Sequence, residues 1–287
     1  MCQNTNSSNK KKRDASDSKK AAADLFHVGM SKALAVDDGY DSFRDEESEI
    51  DLVHYEPPPR DDCPLCMCPM PTDYRKIEYM ICCGKYLCRA CSIDHGTNSI
   101  MRGVDVDTWA KCVFCRGSRD VGIEQWKAAA KRGDGEGMFH LARNYENGVN
   151  GFPMNYQKAV ELYHEATKLG NANAAHTLGS SYMSGDIVRM DKDKARRLLC
   201  RAAKVGSIGS LHQLGCLKFQ DENNLDFLSY FFKAAALGWK DSLDTIKRLH
   251  DTGLVSEEDY SLTPNDYRNA MKEEQSASRD RREGGDI

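Results

Sequence analysis

Nine of the twelve cysteines in this chain of 287 residues fall between Cys63 and Cys115. Eight of the nine form close pairs, which are Cys63-x2-Cys66, Cys82-Cys83, Cys88-x2-Cys91 and Cys112-x2-Cys115. Two residues between cysteines let both thiolates of one turn reach the same metal ion, and four thiolates around zinc make a closed structural site. The pattern therefore predicts two Zn²⁺ ions. Cys200 and Cys216 stand alone and are expected to be small buried side chains.

Three tracts of this region resemble the RING finger, namely Cys63-Pro64-Leu65-Cys66, Cys83-Gly84-Lys85-Tyr86-Leu87-Cys88-Arg89-Ala90-Cys91 and Cys112-Val113-Phe114-Cys115-Arg116. The resemblance implies a small zinc-stapled α+β domain over residues 60–118. In its cross-brace, the first and third cysteine pairs bind one ion, and the second and fourth pairs bind the other. The chain departs from the family at Lys85, where a histidine ligand is usual, and at Val113, where many ligases have proline. We expect Cys82 and Cys83 to supply the second pair.

Two further residues offer alternatives to Cys82 as a ligand of the second ion. Cys68 lies two residues after Cys66, and His95 lies four residues after Cys91. Either side chain could complete a four-ligand site with Cys83. Otherwise Cys68 is a solvent-side thiol in the first zinc loop, and His95 is a polar residue at the start of the long loop that follows.

A RING has no catalytic cysteine of its own, so the resemblance implies catalysis by orientation. A ubiquitin-conjugating enzyme is the implied partner. Its contact residues, matched motif by motif, are Leu65, Trp109, Phe114 and Arg116. The guanidinium of Arg116 suits a bridge between two carbonyl groups better than a lysine would. The expected function is a RING-type ubiquitin ligase.

The alternative is a scaffold or adaptor without catalytic activity, in which the zinc unit is a rigid protein-binding module. An enzyme that acts on small molecules has little support. The sequence contains no Gly-rich phosphate loop, no HExxH motif and no arranged Ser, His and Asp set.

The residues after the cysteine region recur with a long period. Leu141-Ala142, Leu178-Gly179 and Leu214-Gly215 begin at positions 141, 178 and 214, and a second set of glycines recurs at Gly133, Gly170, Gly206 and Gly238. Periods in the thirties indicate stacked pairs of helices rather than one globular core. The small residues predict close approach of paired helices, and the glycines predict helix ends in the left-handed conformation.

Two stretches resemble the Sel1-like repeat. The first has Phe139–Gly148 followed by Lys158–Ala166, and the second has His176–Gly185 followed by Lys194-Ala195. A third, degenerate copy follows, so an all-α, TPR-like solenoid is expected over residues 120–272. The resemblance implies a surface that binds a protein substrate or partner. Ile123–Lys131 is expected as an extra helix before the first copy, and Ser242–Leu249 with Glu257–Met271 as a closing cap.

Composition and charge set the remaining expectations. Residues 1–59 and 273–287 are polar and charged, which predicts disordered tails. A net charge of −4 gives no reason to expect a nucleic-acid partner, and no apolar run reaches the length of a membrane span. We therefore expect a soluble protein of the cytoplasm or nucleus. The basic run Lys10–Arg13 is either an import signal or a solvated tail.

Overall fold

The computed structural model describes residues 50–52, 55–56, 61–67, 70, 77–80, 82–93, 111–116, 123–220 and 226–269. Four of the predictions above lie outside these ranges: the tails over residues 1–49 and 273–287, the import signal Lys10–Arg13, the alternative ligands Cys68 and His95, and the contact residue Trp109.

A short hairpin and a helical turn make up the regular structure of the cysteine region. Strands β1 (Ile77–Met80) and β2 (Lys85–Cys88) pair antiparallel, with Tyr79 opposite Tyr86. A helical turn over residues 89–93 follows β2 directly. Leu87 is fully buried beneath the hairpin beside the cysteine side chains. The described part of this region is thus a small α+β unit with a minimal apolar core.

The second part of the chain is helical. Its helices are α1 (Ile123–Lys131), α2 (Gly135–Asn147), α3 (Tyr156–Lys168), α4 (Ala172–Ser184), α5 (Lys192–Lys204), α6 (Ile208–Phe219), α7 (Phe227–Ala236), α8 (Lys240–Asp251) and α9 (residues 257–269). Each of α1 to α7 packs against the next helix, so the described helices form an all-α solenoid. Among them, none combines the length and apolar character needed to cross a bilayer.

Polar caps begin the helices at the same place in successive repeats. The side chains of Asp134, Asn155, Asn171 and Asp191 accept hydrogen bonds from backbone N–H groups in the first turn of α2 to α5. These caps satisfy donors that have no partner inside the helix. Gly148 and Gly185 end α2 and α4 in the left-handed conformation, at φ values of 62° and 73°. Local capping interactions therefore mark where these helices begin and end.

Small residues allow the helices of a pair to approach closely, as the sequence predicts. A Cβ atom added at Gly179 of α4 would lie 2.9 Å from Leu199 Cγ of α5. One added at Gly215 of α6 would lie 2.8 Å from the Phe231 ring of α7. Leu199 and Phe231 are fully buried. The glycines thus form the sockets into which the large side chains of the partner helices fit.

Both ends of the solenoid are capped. Helix α1, expected as an unpaired helix, packs on α2, where Trp126 and Ala129 join Leu141 in a buried cluster. At the other end, Ile246 and Val255 close the last cluster of α7 and α8. These end helices cover apolar faces that a neighbouring repeat would otherwise cover.

Described residues within the stretch predicted to be a disordered tail are packed on the solenoid. Ile50 and Tyr55 are each only 8% exposed and belong to a cluster built on α5, α6 and α7. The prediction rested on the surrounding acidic composition. The average composition of the stretch does not reveal three apolar side chains that pack on the solenoid, at Ile50, Leu52 and Tyr55.

We predict that Gly179→Ala destabilises the solenoid. In an open helix the change would stabilise by about 1 kcal/mol. Here the added methyl group meets Leu199, and overpacking of this kind costs about 1–3 kcal/mol. Thermal unfolding followed by circular dichroism measures the difference.

The matched control is the same change in a Leu199→Ala background, which removes the clash. In that background Gly179→Ala should be neutral or stabilising, as a double-mutant cycle reports. A higher melting temperature for Gly179→Ala alone would show that the added methyl group is accommodated beside Leu199, which would contradict the prediction.

Candidate metal centre

Three turns of the same geometry carry most of the paired cysteines. In the first, the Cys63 carbonyl accepts hydrogen bonds from the backbone N–H groups of Cys66 and Met67, at 3.1 and 2.7 Å. In the last, the Cys112 carbonyl accepts from the N–H of Arg116 at 3.0 Å. Met67 and Arg116 have φ values of 57° and 59°, in the left-handed region that non-glycine residues seldom adopt. Such conformations persist where the surrounding structure requires them, often at functional sites.

The adjacent cysteines Cys82 and Cys83 use the same turn in another way. The carbonyl of Met80 accepts from the N–H groups of Cys83 and Gly84, at 3.1 and 2.8 Å, and Gly84 has a φ of 72°. Met80 thus stands where the other turns have their first cysteine. Cys83 takes the second position of the turn, and Cys82 reaches the same cluster from within it. This explains how two neighbouring residues can serve one metal ion.

The structure brings the eight predicted ligands together in two groups of four. One group is Cys63, Cys66, Cys88 and Cys91, and the other is Cys82, Cys83, Cys112 and Cys115. Within each group, all sulfur atoms lie within 4.8 Å of one another. The groups alternate along the chain in the predicted cross-brace order. Both could hold a metal ion.

The spacing between the sulfur atoms fits zinc. A tetrahedron with zinc–sulfur bonds of about 2.3 Å has sulfur–sulfur edges of about 3.8 Å. Cys66 Sγ lies 3.7 Å from Cys88 Sγ, and Cys83 Sγ lies 3.8 Å from Cys112 Sγ. Each of these edges joins two different cysteine pairs. Both are far longer than a disulfide bond of about 2.05 Å.

Each group contains one thiol that is prepared for deprotonation. Burial raises the pKa of Cys63, but hydrogen bonds from the backbone of Cys88 and Leu65 outweigh it and lower the pKa to about 7. The pKa of Cys112 is also about 7, because backbone hydrogen bonds from Cys115 and Phe114 outweigh burial. Since the thiolate is the form that binds metal, the backbone supplies part of the stabilisation that the first ligand needs.

The described contact residues predicted from the RING resemblance are available at the surface. Leu65 is 46% exposed, and Arg116 is exposed in the turn after the last cysteine. Phe114 is half-buried, and the Lys85 ammonium lies over its ring at 5.2 Å. Lys85 therefore has a contact role in place of the ligand role that the family gives this position.

The hairpin contacts the first repeat through its tyrosines, a contact that sequence reasoning missed. The Tyr79 hydroxyl donates to the Asp134 carboxylate at the start of α2, and Tyr79 stacks on His140 with ring centroids 5.7 Å apart. Tyr86 hydrogen-bonds to Glu136. Burial and the Asp134 carboxylate raise the pKa of Tyr79, so that its hydroxyl remains a donor. The cysteine unit is thereby held against α2.

We predict that Cys82→Ser lowers the zinc content from two ions per chain to about one, because the second group loses a thiolate. Cys68→Ser and His95→Ala should retain two ions. Elemental analysis of the purified proteins measures the stoichiometry, with Cys200→Ser as a control outside both groups. If Cys82→Ser kept two ions while Cys68→Ser or His95→Ala lost one, Cys82 would not be a ligand of the second ion. The residue whose substitution removed the ion would take its place.

Removal of zinc by a chelator is expected to unfold residues 60–118 and leave the repeats folded. Structural zinc contributes on the order of 10–16 kcal/mol in small zinc-finger peptides, and a unit of this size has little core to replace it. Amide hydrogen exchange on the intact chain reports both parts at once. Protection should vanish at Leu87 and persist at Leu178 and Leu214. Unchanged protection at Leu87 would contradict the prediction that the cysteine unit unfolds without zinc.

Comparison with known proteins gives a match on the helical part of the chain. The family model described as Sel1 repeat matches residues 135–171 and 172–207. These residues are α2–α3 and α4–α5, which confirms the first two predicted copies. No curated protein matches the chain.

Two solved structures illustrate the similarity. A Sel1 repeat protein from Oxalobacter formigenes has 17% identity and a TM-score of 0.44, over 62% of this chain and 73% of that one. A protective antigen present in uropathogenic Escherichia coli strains has 16% identity and a TM-score of 0.34, over 63% of this chain and 46% of that one. It is the family match that shows residues 135–207 to be Sel1 repeats, a module typical of scaffolds for protein–protein interaction.

Proposed function

We propose that the chain is a RING-type ubiquitin ligase, in which the two-zinc unit binds a conjugating enzyme and the Sel1 repeats bind a substrate or partner. The observation that carries the proposal is the interleaved order of the two four-cysteine groups. In that order each ion joins two distant turns, so the loops at Leu65 and Phe114 are held in fixed relative positions.

The eight thiolates would hold the two Zn²⁺ ions, whose chemical role is structural because all four positions around each ion are filled by protein. The catalytic effect in this proposal is orientation. A conjugating enzyme and its attached ubiquitin lose freedom of motion when both are bound, which raises the rate of transfer. No residue of this chain exchanges a proton or forms a covalent bond with ubiquitin.

Two exposed side chains support the role of the zinc loops as a docking surface. Leu65 leaves nearly half of its surface in solvent, whereas a residue that only covered the metal would be buried. Arg116 extends its guanidinium from a left-handed turn, and its planar fork can donate to two carbonyl groups at once. The pair offers one apolar and one charged contact, and arginine is among the residues enriched at interfaces.

The contact between the hairpin and α2 supports separate roles for the zinc unit and the solenoid, with the conjugating enzyme on the first and the partner on the second. Because Tyr79 and Tyr86 hydrogen-bond to Asp134 and Glu136, the zinc unit has a defined attachment to the first repeat. A partner bound on the solenoid would then be presented to the conjugating enzyme in a restricted set of positions.

A second candidate is a scaffold without ligase activity. Val113 favours it, because many RINGs that act as ligases have proline at that position. The family match favours it as well, since the match falls on the repeats. In this alternative the zinc unit binds or presents a protein without promoting transfer.

The two candidates differ in an assay with ubiquitin, activating enzyme and a panel of conjugating enzymes. The wild-type chain should form polyubiquitin with at least one of them. Arg116→Ala should reduce chain formation about tenfold or more, because hydrogen bonds from a charged group contribute about 1.5–3 kcal/mol. Leu65→Ala should give a reduction of about tenfold, as expected for an apolar contact at the centre of an interface.

Arg89→Ala is the matched control, since Arg89 is also an exposed arginine directly after a clustered cysteine. It should retain the activity, and all variants should keep two zinc ions. Absence of chains with every conjugating enzyme would favour the scaffold. An equal loss of chain formation in Arg89→Ala and Arg116→Ala would contradict a specific role for Arg116.

A further inference from the structure

The solenoid binds residues of its own chain that precede the cysteine region, at α5, α6 and α7. Among residues 50–52 and 55–56, none lies in a helix or strand. Ile50 and Tyr55 are nevertheless buried, and Leu52 packs beside them. They share one buried cluster with residues of the solenoid, and these residues form the surface called the groove below: Leu199, Ala203, Ile208, Leu211 and Trp239.

Tyr55 makes a specific contact at the end of a helix. Its hydroxyl donates to the Ala203 carbonyl at 2.8 Å, close to the point where α5 ends. The same carbonyl also accepts the backbone N–H of Gly206 at 2.8 Å, so the Tyr55 hydroxyl binds its second lone pair. Burial raises the pKa of Tyr55 to about 12, which keeps the phenol protonated and able to donate.

Charge complements the apolar contacts. Helix α5, with the sequence KDKARRLLCRAAK, has six basic residues and one acidic residue. The chain from Asp37 to Asp51 has eight acidic residues and one basic residue. Arg201 and Lys204 lie on either side of Ala203 in the sequence, where Tyr55 is bound. An acidic peptide is thus the partner that this side of the solenoid attracts.

We propose that this groove is a peptide-binding site for an extended acidic segment with the spacing of Ile50, Leu52 and Tyr55, and that the chain's own residues 50–56 compete there with a partner protein. The inference rests on the proposed function of the repeats as a partner-binding surface. In the described part of the segment, Ile50, Leu52 and Tyr55 pack on the solenoid and the Tyr55 hydroxyl binds a helix-end carbonyl, and none of these described residues lies in a strand. A partner segment of the same chemistry can therefore replace it, against the high local concentration of a tethered competitor.

A labelled peptide with the sequence of residues 46–57 tests the groove in the full-length, zinc-loaded chain. The released variant carries Ile50→Ser, Leu52→Ser and Tyr55→Ser, and its groove is empty. Fluorescence anisotropy should show at least tenfold tighter binding to the released variant than to the wild-type chain. Binding should weaken as salt increases. A peptide with phenylalanine at the tyrosine position should bind about 2–10-fold more weakly, the loss expected for one hydrogen bond.

The matched control is Glu56→Ser, which changes an exposed residue of the same segment and should bind the peptide as the wild-type chain does. Amide hydrogen exchange provides a second measurement that does not depend on peptide affinity. Exchange at Leu199 to Leu211 should accelerate in the released variant and slow again when peptide is added.

Equal peptide affinity for the wild-type chain and the released variant would overturn the proposal. Unchanged exchange between the two proteins would overturn it as well. Neither assay contains a component of the ubiquitin system. A negative peptide-binding result would therefore not bear on ligase activity, and a negative ligase result would not bear on peptide binding.

Discussion

Four sulfur atoms can share one zinc ion only if they lie about 3.8 Å apart at the corners of a tetrahedron. This constraint governs the described part of the cysteine region. It requires turns that direct two thiols to the same point, and Met67 and Arg116 adopt left-handed conformations in two of these turns. The hairpin then brings Cys88 toward Cys66, to a distance of 3.7 Å. Since the unit buries little apolar surface beyond Leu87 and Met80, the proposed ions would supply the stability that larger domains obtain from a core.

The helical repeats satisfy a different constraint. Their stability comes from repeated burial of apolar side chains, and close approach of the paired helices depends on glycines such as Gly179 and Gly215. Each repeat needs its neighbours to cover its apolar faces, so the end helices α1 and α8 are as necessary as the repeats themselves. The two parts of the chain thus follow separate physical rules. They meet where the tyrosines of the hairpin reach the carboxylates at the start of α2.

Sequence reasoning anticipated the features that repeat or that have fixed spacing. The close cysteine pairs and the glycines of the repeats both leave signals of fixed spacing in the sequence. The contact of Tyr79 with Asp134 joins residues 55 positions apart, and that of Tyr55 with Ala203 joins residues 148 positions apart. Neither contact leaves a periodic signal. The burial of Ile50 and Tyr55 was also missed because the stretch around them is acidic. Its average composition hides the few apolar residues that pack on the solenoid.

X-ray absorption at the zinc edge, on the 287-residue chain with its bound metal, identifies the atoms that surround each ion. We expect two ions per chain, each surrounded by four sulfur atoms at about 2.3 Å, without a nitrogen or oxygen shell. That result would require all eight paired cysteines, including the adjacent Cys82 and Cys83. A nitrogen neighbour at about 2.0–2.1 Å, or a single ion per chain, would contradict the two all-cysteine sites on which the proposed function depends.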